Sequence, residues 1–263
     1  MLSITSLIRY PVKSVGGEPL SEAWVGAHGI AGDRQWGIRD LATGNVLTGR
    51  RTPALLMATA RIEGASATTA FDSAQAQVVI TMPDGTETND DAVLSSWLET
   101  DVALLPASDD ESGTYENPLS VGGVTDGAAD DADWISWTGP SGSMHDSGRT
   151  MLSLASAETL GQWDPRRFRK NVLTDGSGED DLVGKHLRMG GAGVEVTKRV
   201  SRCVMVTRPL PGAPRDLEPL KTINRERDEC LGIGMVVTQE STVAVGDTVE
   251  PVETGIHPEH QPE

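Results

Sequence analysis

The chain has 263 residues, enough for one large domain or two modest ones, and its 37% hydrophobic and 23% charged residues are ordinary for a soluble globular protein. Its net charge of −17 lacks the basic footprint of a nonspecific nucleic-acid binder, and no apolar run is long enough to span a bilayer. The opening MLSITSLIRYPVKS has neither the basic n-region nor the apolar h-region of a secretory leader, so the expected location is cytoplasmic, with no membrane or nucleic-acid partner.

In chain order, Leu2–Arg9 predicts a strand, and residues 35–40 and 46–48 a hairpin around Ala-Thr-Gly-Asn. Leu56, Ala58, Ala60 and Ile62 alternate as in a half-buried strand, and 78–82 runs into the turn Pro83-Asp84-Gly85. Asn89 or Asp90 can cap a short helix with Val93, Leu94, Trp97 and Leu98 on one face. Acidic residues crowd 109–111 and 126–133 among Gly, Ser and Ala, which reads as a solvated loop. Beyond it, 155–163 reads as a helix, 187–196 and 204–207 as strands, and 232–249 as paired strands. The expected class is mainly β (α+β). A β-barrel-like domain spans 1–105, a second barrel with a few short helices spans 106–250, and 251–263 is a disordered tail.

No GxGxxG, P-loop, HExxH or GxSxG motif occurs, and the five histidines lack metal-ligand spacing to one another. The two cysteines, Cys203 and Cys230, cannot build a four-thiolate zinc site or a ferredoxin-type cluster, and each by itself suits a small buried apolar residue. The basic residues are unevenly placed. Pro165-Arg166-Arg167-Phe168-Arg169-Lys170 holds four in six positions and Lys198-Arg199-Val200-Ser201-Arg202 three in five, the second run ending against Cys203. Composition leaves two readings open. One is an anion site in which Arg forks meet phosphate oxygens and nearby positive charge favours a thiolate; the other is two solvated strand ends beside a buried cysteine.

Five short motifs in collinear order add a resemblance. Tyr10-Pro11-Val12-Lys13-Ser14 with Gly32-Asp33-Arg34-Gln35-Trp36, then Phe168-Arg169-Lys170-Asn171, Ser201-Arg202-Cys203, Pro219-Leu220-Lys221-Thr222 and Val245-Gly246-Asp247 resemble the MOSC family with its N-terminal β-barrel domain. Within that family the chain is similar to the mitochondrial amidoxime-reducing component and bacterial proteins like it. The resemblance implies a molybdenum cofactor (molybdopterin), with no pyridoxal phosphate. Its anionic end would be held by Lys13, Ser14, Arg34, Arg169, Asn171, Ser201 and Arg202, with Ser147 a further contact, and Cys203 would be the metal ligand and catalytic centre. The implied activity is reduction of the N–O bond of small N-hydroxylated compounds, with electrons from a separate ferredoxin-, flavodoxin- or cytochrome-type protein. The alternatives are a non-catalytic cofactor carrier or sulfur-handling protein, and a scaffold that has lost the cofactor. Lys170 stands where FRPN relatives carry proline, and Val200 replaces the earlier cysteine of some relatives; Cys230 matches no ligand position.

Overall fold

The computed structural model describes residues 1–118 and 133–252, so most of the second acidic run and the tail from 253 lie outside the described residues. The order is β1 (Leu2–Arg9), β2 (Glu18–Leu20), β3 (Glu22–Gly26), β4 (Gly29–Ile30), β5 (Trp36–Asp40), β6 (Thr59–Glu63), β7 (Gln77–Thr81), β8 (Glu87–Thr88), α1 (Asp91–Leu98), β9 (Val102–Pro106) and β10 (Ser112–Pro118). The second half follows with β11 (Trp134–Ser141), β12 (Leu152–Ser156), α2 (Ala157–Leu160), β13 (Val172–Thr174), β14 (His186–Met189), β15 (Ala192–Ser201), α3 (Glu218–Glu226), β16 (Cys230–Gln239), β17 (Ser241–Ala244) and β18 (Thr248–Pro251). The protein is mainly β, as its sequence predicts.

Seven strands close into a barrel in the order β13-β12-β16-β15-β14-β18-β1, sealed by pairing of β1 with β13. Strand β1 comes from the first segment of the chain, so the sheets do not divide near residue 105. Its inward residues are Leu2, Ile4 and then Leu7, and the register shift between Ile4 and Ser6 accounts for the change of phase. With a side-chain period of two, one extra residue moves the rest of the strand to the opposite face. Ile4, Leu7, Leu154, Val172, Val194, Val196, Ile233 and Met235 fill the barrel. A second core joins Val12, Val15, Ile38, Leu55, Ile80, Leu94 and Val102 between the β5–β9 pair, the β6-β7-β8 sheet and α1. Asp90 caps α1 by accepting from the Ala92 and Val93 amides, at 2.9 and 3.0 Å.

Several local expectations differ from the structure. Residues 204–207 form a 3₁₀ turn, not a strand: local bonds Val206 N–H to Cys203 O and Thr207 Oγ1 to Val204 O close it, overriding the β-branched sequence. The helix expected over 155–163 is a single turn, β12 having taken its start. Residues 53–57 are 3₁₀, so the alternating strand begins only at Thr59. The run 187–196 is a hairpin turning at Gly190-Gly191, and β17 pairs with β3, not β16. Likewise β5 pairs along its length with β9 and touches Val46 through one bridge.

Candidate functional site

Crossing strands carry the site residues from the barrel to the second core. The Lys13 amide donates to Trp36 O at 2.9 Å, the Arg34 amide to Tyr10 O at 2.7 Å and the Trp36 amide to Pro11 O at 3.0 Å. Buried Asp33 locks the crossing by accepting the Tyr10 amide at 2.7 Å and the Arg34 guanidinium at 2.8 Å. Burial raises the Asp33 carboxyl, with Arg34 opposing. Ser14, Arg34 and Arg169 all have left-handed backbones, with φ of 65°, 49° and 49°. Such conformations are costly for non-glycine residues and persist where surrounding structure enforces them, commonly at functional sites.

These segments enclose a pocket of about 450 Å³, a volume suited to a small ligand or cofactor. Eight Lys and Arg side chains line it, Lys13, Arg34, Arg50, Arg167, Arg169, Lys170, Lys198 and Arg202, against one carboxylate, Asp146. The expected residues Lys13, Ser14, Arg34, Ser147, Arg169, Ser201, Arg202 and Cys203 all line it too. Asn171 does not reach it. That residue is fully buried beneath the floor, where its Oδ1 accepts from Ser153 Oγ at 2.9 Å and its Nδ2 donates to Ile8 O at 3.3 Å. It ties β1 to β12 in this structure.

The lining cations differ in what they leave free. Lys13 Nζ donates to Met144 O and Asp146 Oδ1, both at 2.7 Å, and lies 3.7 Å from the Tyr115 ring centroid. Burial pushes its ammonium down to about 8, with Asp146 pulling the other way. The Arg167 guanidinium is spent on carbonyls of Val206, Arg208 and Pro214, stapling the segment after Cys203. Arg169 Nη1 donates to Val15 O at 2.6 Å, bridging the two halves, while its buried Nη2 has no partner among the described residues. The Tyr10 ring lies 4.4 Å from the Arg169 guanidinium and 5.7 Å from that of Arg34, within cation–π range of both. Burial, with Arg34 adding to it, lowers Arg169 to about 10; burial also lowers Arg202. Burial and the Arg34 and Lys13 charges hold His145 well below the usual histidine range. Its Nδ1 therefore accepts from Arg34 at 3.2 Å, which leaves the proton on Nε2 near Asp33.

The sequence singled out neither Arg50 nor Asp146 as a site residue. Asp146 accepts from Lys13 on one oxygen and from Arg50 on the other, at 2.7 and 2.9 Å. Its side chain is 49% exposed where the pocket opens; desolvation against the pocket wall would raise its carboxyl, and the Lys13 and Arg50 charges outweigh that and hold it well below the carboxylate range. Cys203 is a free, partly exposed thiol at the head of the 3₁₀ turn, and Cys230 is also free. Among the described residues no group of three His, Cys, Asp or Glu side chains could hold a metal ion. None of their helices is long and apolar enough to cross a membrane.

Fold and site together define a two-part β protein with a cationic small-molecule pocket and an accessible cysteine. Residues 1–113 match the MOSC N-terminal beta barrel domain and residues 148–250 the MOSC domain; the chain belongs to the MOSC family, which is associated with molybdenum-cofactor binding. Among solved structures the chain is similar to the YuaD protein of Bacillus subtilis, with 12% identity, 94% of this chain and 93% of that one covered, and a TM-score of 0.41. It is also similar to YiiM of Geobacillus stearothermophilus, at 16% identity, 58% and 78% coverage and a TM-score of 0.33. YiiM of Escherichia coli matches at 21% identity over 41% and 57%, with a TM-score of 0.32. These overlaps are low, and the family assignment rests on the two domain matches. No curated protein sequence matches the chain.

Proposed function

We propose that the pocket binds the molybdenum cofactor and that the protein reduces small N-hydroxylated compounds with electrons from a separate redox protein. The observation that carries this reading is the meeting of both basic runs with Cys203 in one pocket: Arg167, Arg169 and Lys170 from the first, Lys198 and Arg202 from the second. Four of the pocket cations, Lys13, Arg169, Lys170 and Arg202, are held below their usual pKa by burial, and neighbouring guanidiniums add repulsion. A bound anion would relieve both, since charge-assisted hydrogen bonds are about twice as strong as neutral ones. The unpartnered Nη2 of Arg169 is a donor of the kind an anion requires.

The donor set fits such a group. Arg34, Arg169 and Arg202 would hold its anionic end, with the Ser14, Ser147 and Ser201 hydroxyls filling the remaining positions. The Cys203 sulfur, a soft ligand, would bind the metal. The cofactor supplies the two-electron chemistry. Tyr10 packs its ring against both the Arg34 and the Arg169 guanidinium, Asp33 and neutral His145 aim the Arg34 fork, and Arg167 fixes the loop that presents the cysteine. For an amidoxime the overall change consumes two electrons and two protons and releases the amidine and water.

The test is dye-linked turnover. Purified, molybdenum-loaded protein should reoxidise reduced viologen when given an amidoxime or a hydroxylamine and should be inert toward NADH. Loaded protein inert in the dye assay would point to the carrier reading. NADH-driven turnover by the pure chain would contradict the need for a separate donor.

A further inference from the structure

Among the described residues that line the pocket, two besides His145 carry aromatic rings, Phe168 and Trp137. Phe168 is 1% exposed and packs against Trp163 with ring centroids 5.8 Å apart, so its ring belongs to the core. Trp137 is 47% exposed. It stands on β11 directly opposite Tyr115 of β10, and the side chains of such a pair share one face of the sheet. That face is the one turned to the pocket. Tyr115 is fully buried with Lys13 Nζ 3.7 Å from its ring centroid, and a Cβ at Gly139 would meet His145 O at 2.4 Å. The strand pair is therefore packed down at Gly139 and open at Trp137 and Ile135 on the same face. The indole is nonetheless anchored: Nε1 donates to Asp146 O at 2.9 Å, on the residue whose carboxylate meets Lys13 and Arg50. With the N–H engaged, what Trp137 offers at the pocket is carbon surface.

We propose that Trp137 is a specificity-determining residue: its indole receives a flat, uncharged, unsaturated arm of the substrate while the N–O end enters the pocket. An anchored tryptophan supplies a large contact area with little conformational freedom to lose. An aromatic ring lying on it gains from the complementary charge distribution of the two rings, which a puckered saturated ring of equal size does not. A cationic arm could also lie on an indole face, but eight Lys and Arg side chains line the same pocket and repel it. The cofactor has to be retained, and the groups suited to that are the buried cations. A ring half in solvent meets the molecule that enters and leaves.

This inference deepens the proposed reduction of N-hydroxylated compounds and rests on it. Its test uses the full, molybdenum-loaded chain and two matched amidoximes, benzamidoxime and its cyclohexyl counterpart, which differ in planarity and not in carbon count. Binding is read by calorimetry without reductant, turnover with reduced viologen, and pterin per chain in every variant. Wild type should favour the phenyl compound by about 3- to 10-fold in both Kd and KM. Trp137→Leu keeps apolar bulk on an exposed strand position and should shrink that preference to within about twofold, through KM and not kcat. Trp137→Phe loses the bond to Asp146 O but keeps a ring, and should retain most of the preference. A wild type without the preference, a leucine variant that keeps it, or a phenylalanine variant that loses it as fully as leucine overturns the inference. So does loss of pterin in the leucine variant, which would make the indole a cofactor contact. Phenyl-selective binding that depends on Trp137, in loaded protein that turns over neither compound, overturns the reductase reading and leaves the aromatic subsite standing.

Discussion

Arg169→Ala separates a binding role from a structural one, because its two expected effects differ in size. In cofactor-free protein the side chain stabilises the fold by one charge-assisted hydrogen bond to Val15 O, about 1.5–3 kcal/mol, and by its contact with Tyr10, roughly 0.5–2 kcal/mol. Opposing this is the burial that lowers its pKa from 12.5 to about 10, a penalty on the charged form of about 2–3 kcal/mol after discounting its partial exposure to the pocket. The terms nearly cancel, and alanine inherits the same left-handed backbone strain. Chemical unfolding of the cofactor-free variant should therefore fall within about 2 kcal/mol of wild type. With cofactor the balance changes, since the anion satisfies Nη2 and the lost bond is worth about 1.5–3 kcal/mol, a roughly 10- to 150-fold loss of affinity. The assay is fluorescent pterin per chain after dialysis and acid oxidation. Undiminished pterin together with a stability loss above about 4 kcal/mol would refute the reasoning and make Arg169 an interdomain strut.

Three further outcomes follow from the same structure. Cys203→Ala should abolish N-hydroxy reduction and alter the molybdenum edge while pterin remains, whereas Cys230→Ala, aligned across from Ser201 on β16, should keep both; an unchanged edge in Cys203→Ala would remove it as ligand. Lys13, lowered to about 8, binds a proton less readily in the folded state than in the unfolded state. Between pH 8 and ~10.4 the unfolded chain holds the extra proton and stability rises with pH. The stability of wild type relative to Lys13→Met should thus climb by up to about 3 kcal/mol across that window and stay flat from pH 6 to 7.5, as read by urea unfolding. Gly232→Ala should lower stability by about 2–4 kcal/mol, because φ is +70° and a Cβ would lie 2.4 Å from Leu154 O and 2.8 Å from Lys170 Nζ; an unchanged melting temperature would contradict that packing.

The sequence made legible what local pattern encodes. Asp90 caps α1 as its side chain and position imply, and the Val78–Ile80 alternation lies in β7. Both basic runs also converge on the pocket, except for Arg166, which pairs with Asp164, and Arg199, which pairs with Asp180 and Asp228. What stayed hidden depends on distant partners. Nothing in Leu2–Arg9 says that it closes a barrel with Val172–Thr174, and the 3₁₀ turn at 204–207, closed by its own local bonds, is further braced by Arg167, remote in sequence, through the Val206 and Arg208 carbonyls. Asn171 shares its segment with Arg169, but the neighbouring side chains diverge, one to the pocket and one to the floor. Arg50 and Asp146 lie 96 positions apart, and only the fold makes them a pair.

The central claim is that these residues hold a molybdenum cofactor, and metal and pterin analysis tests it most directly. Protein purified from a host that makes the cofactor should contain about one molybdenum per chain, with a matching yield of fluorescent pterin after acid oxidation. Preparations from that host with neither would contradict the account.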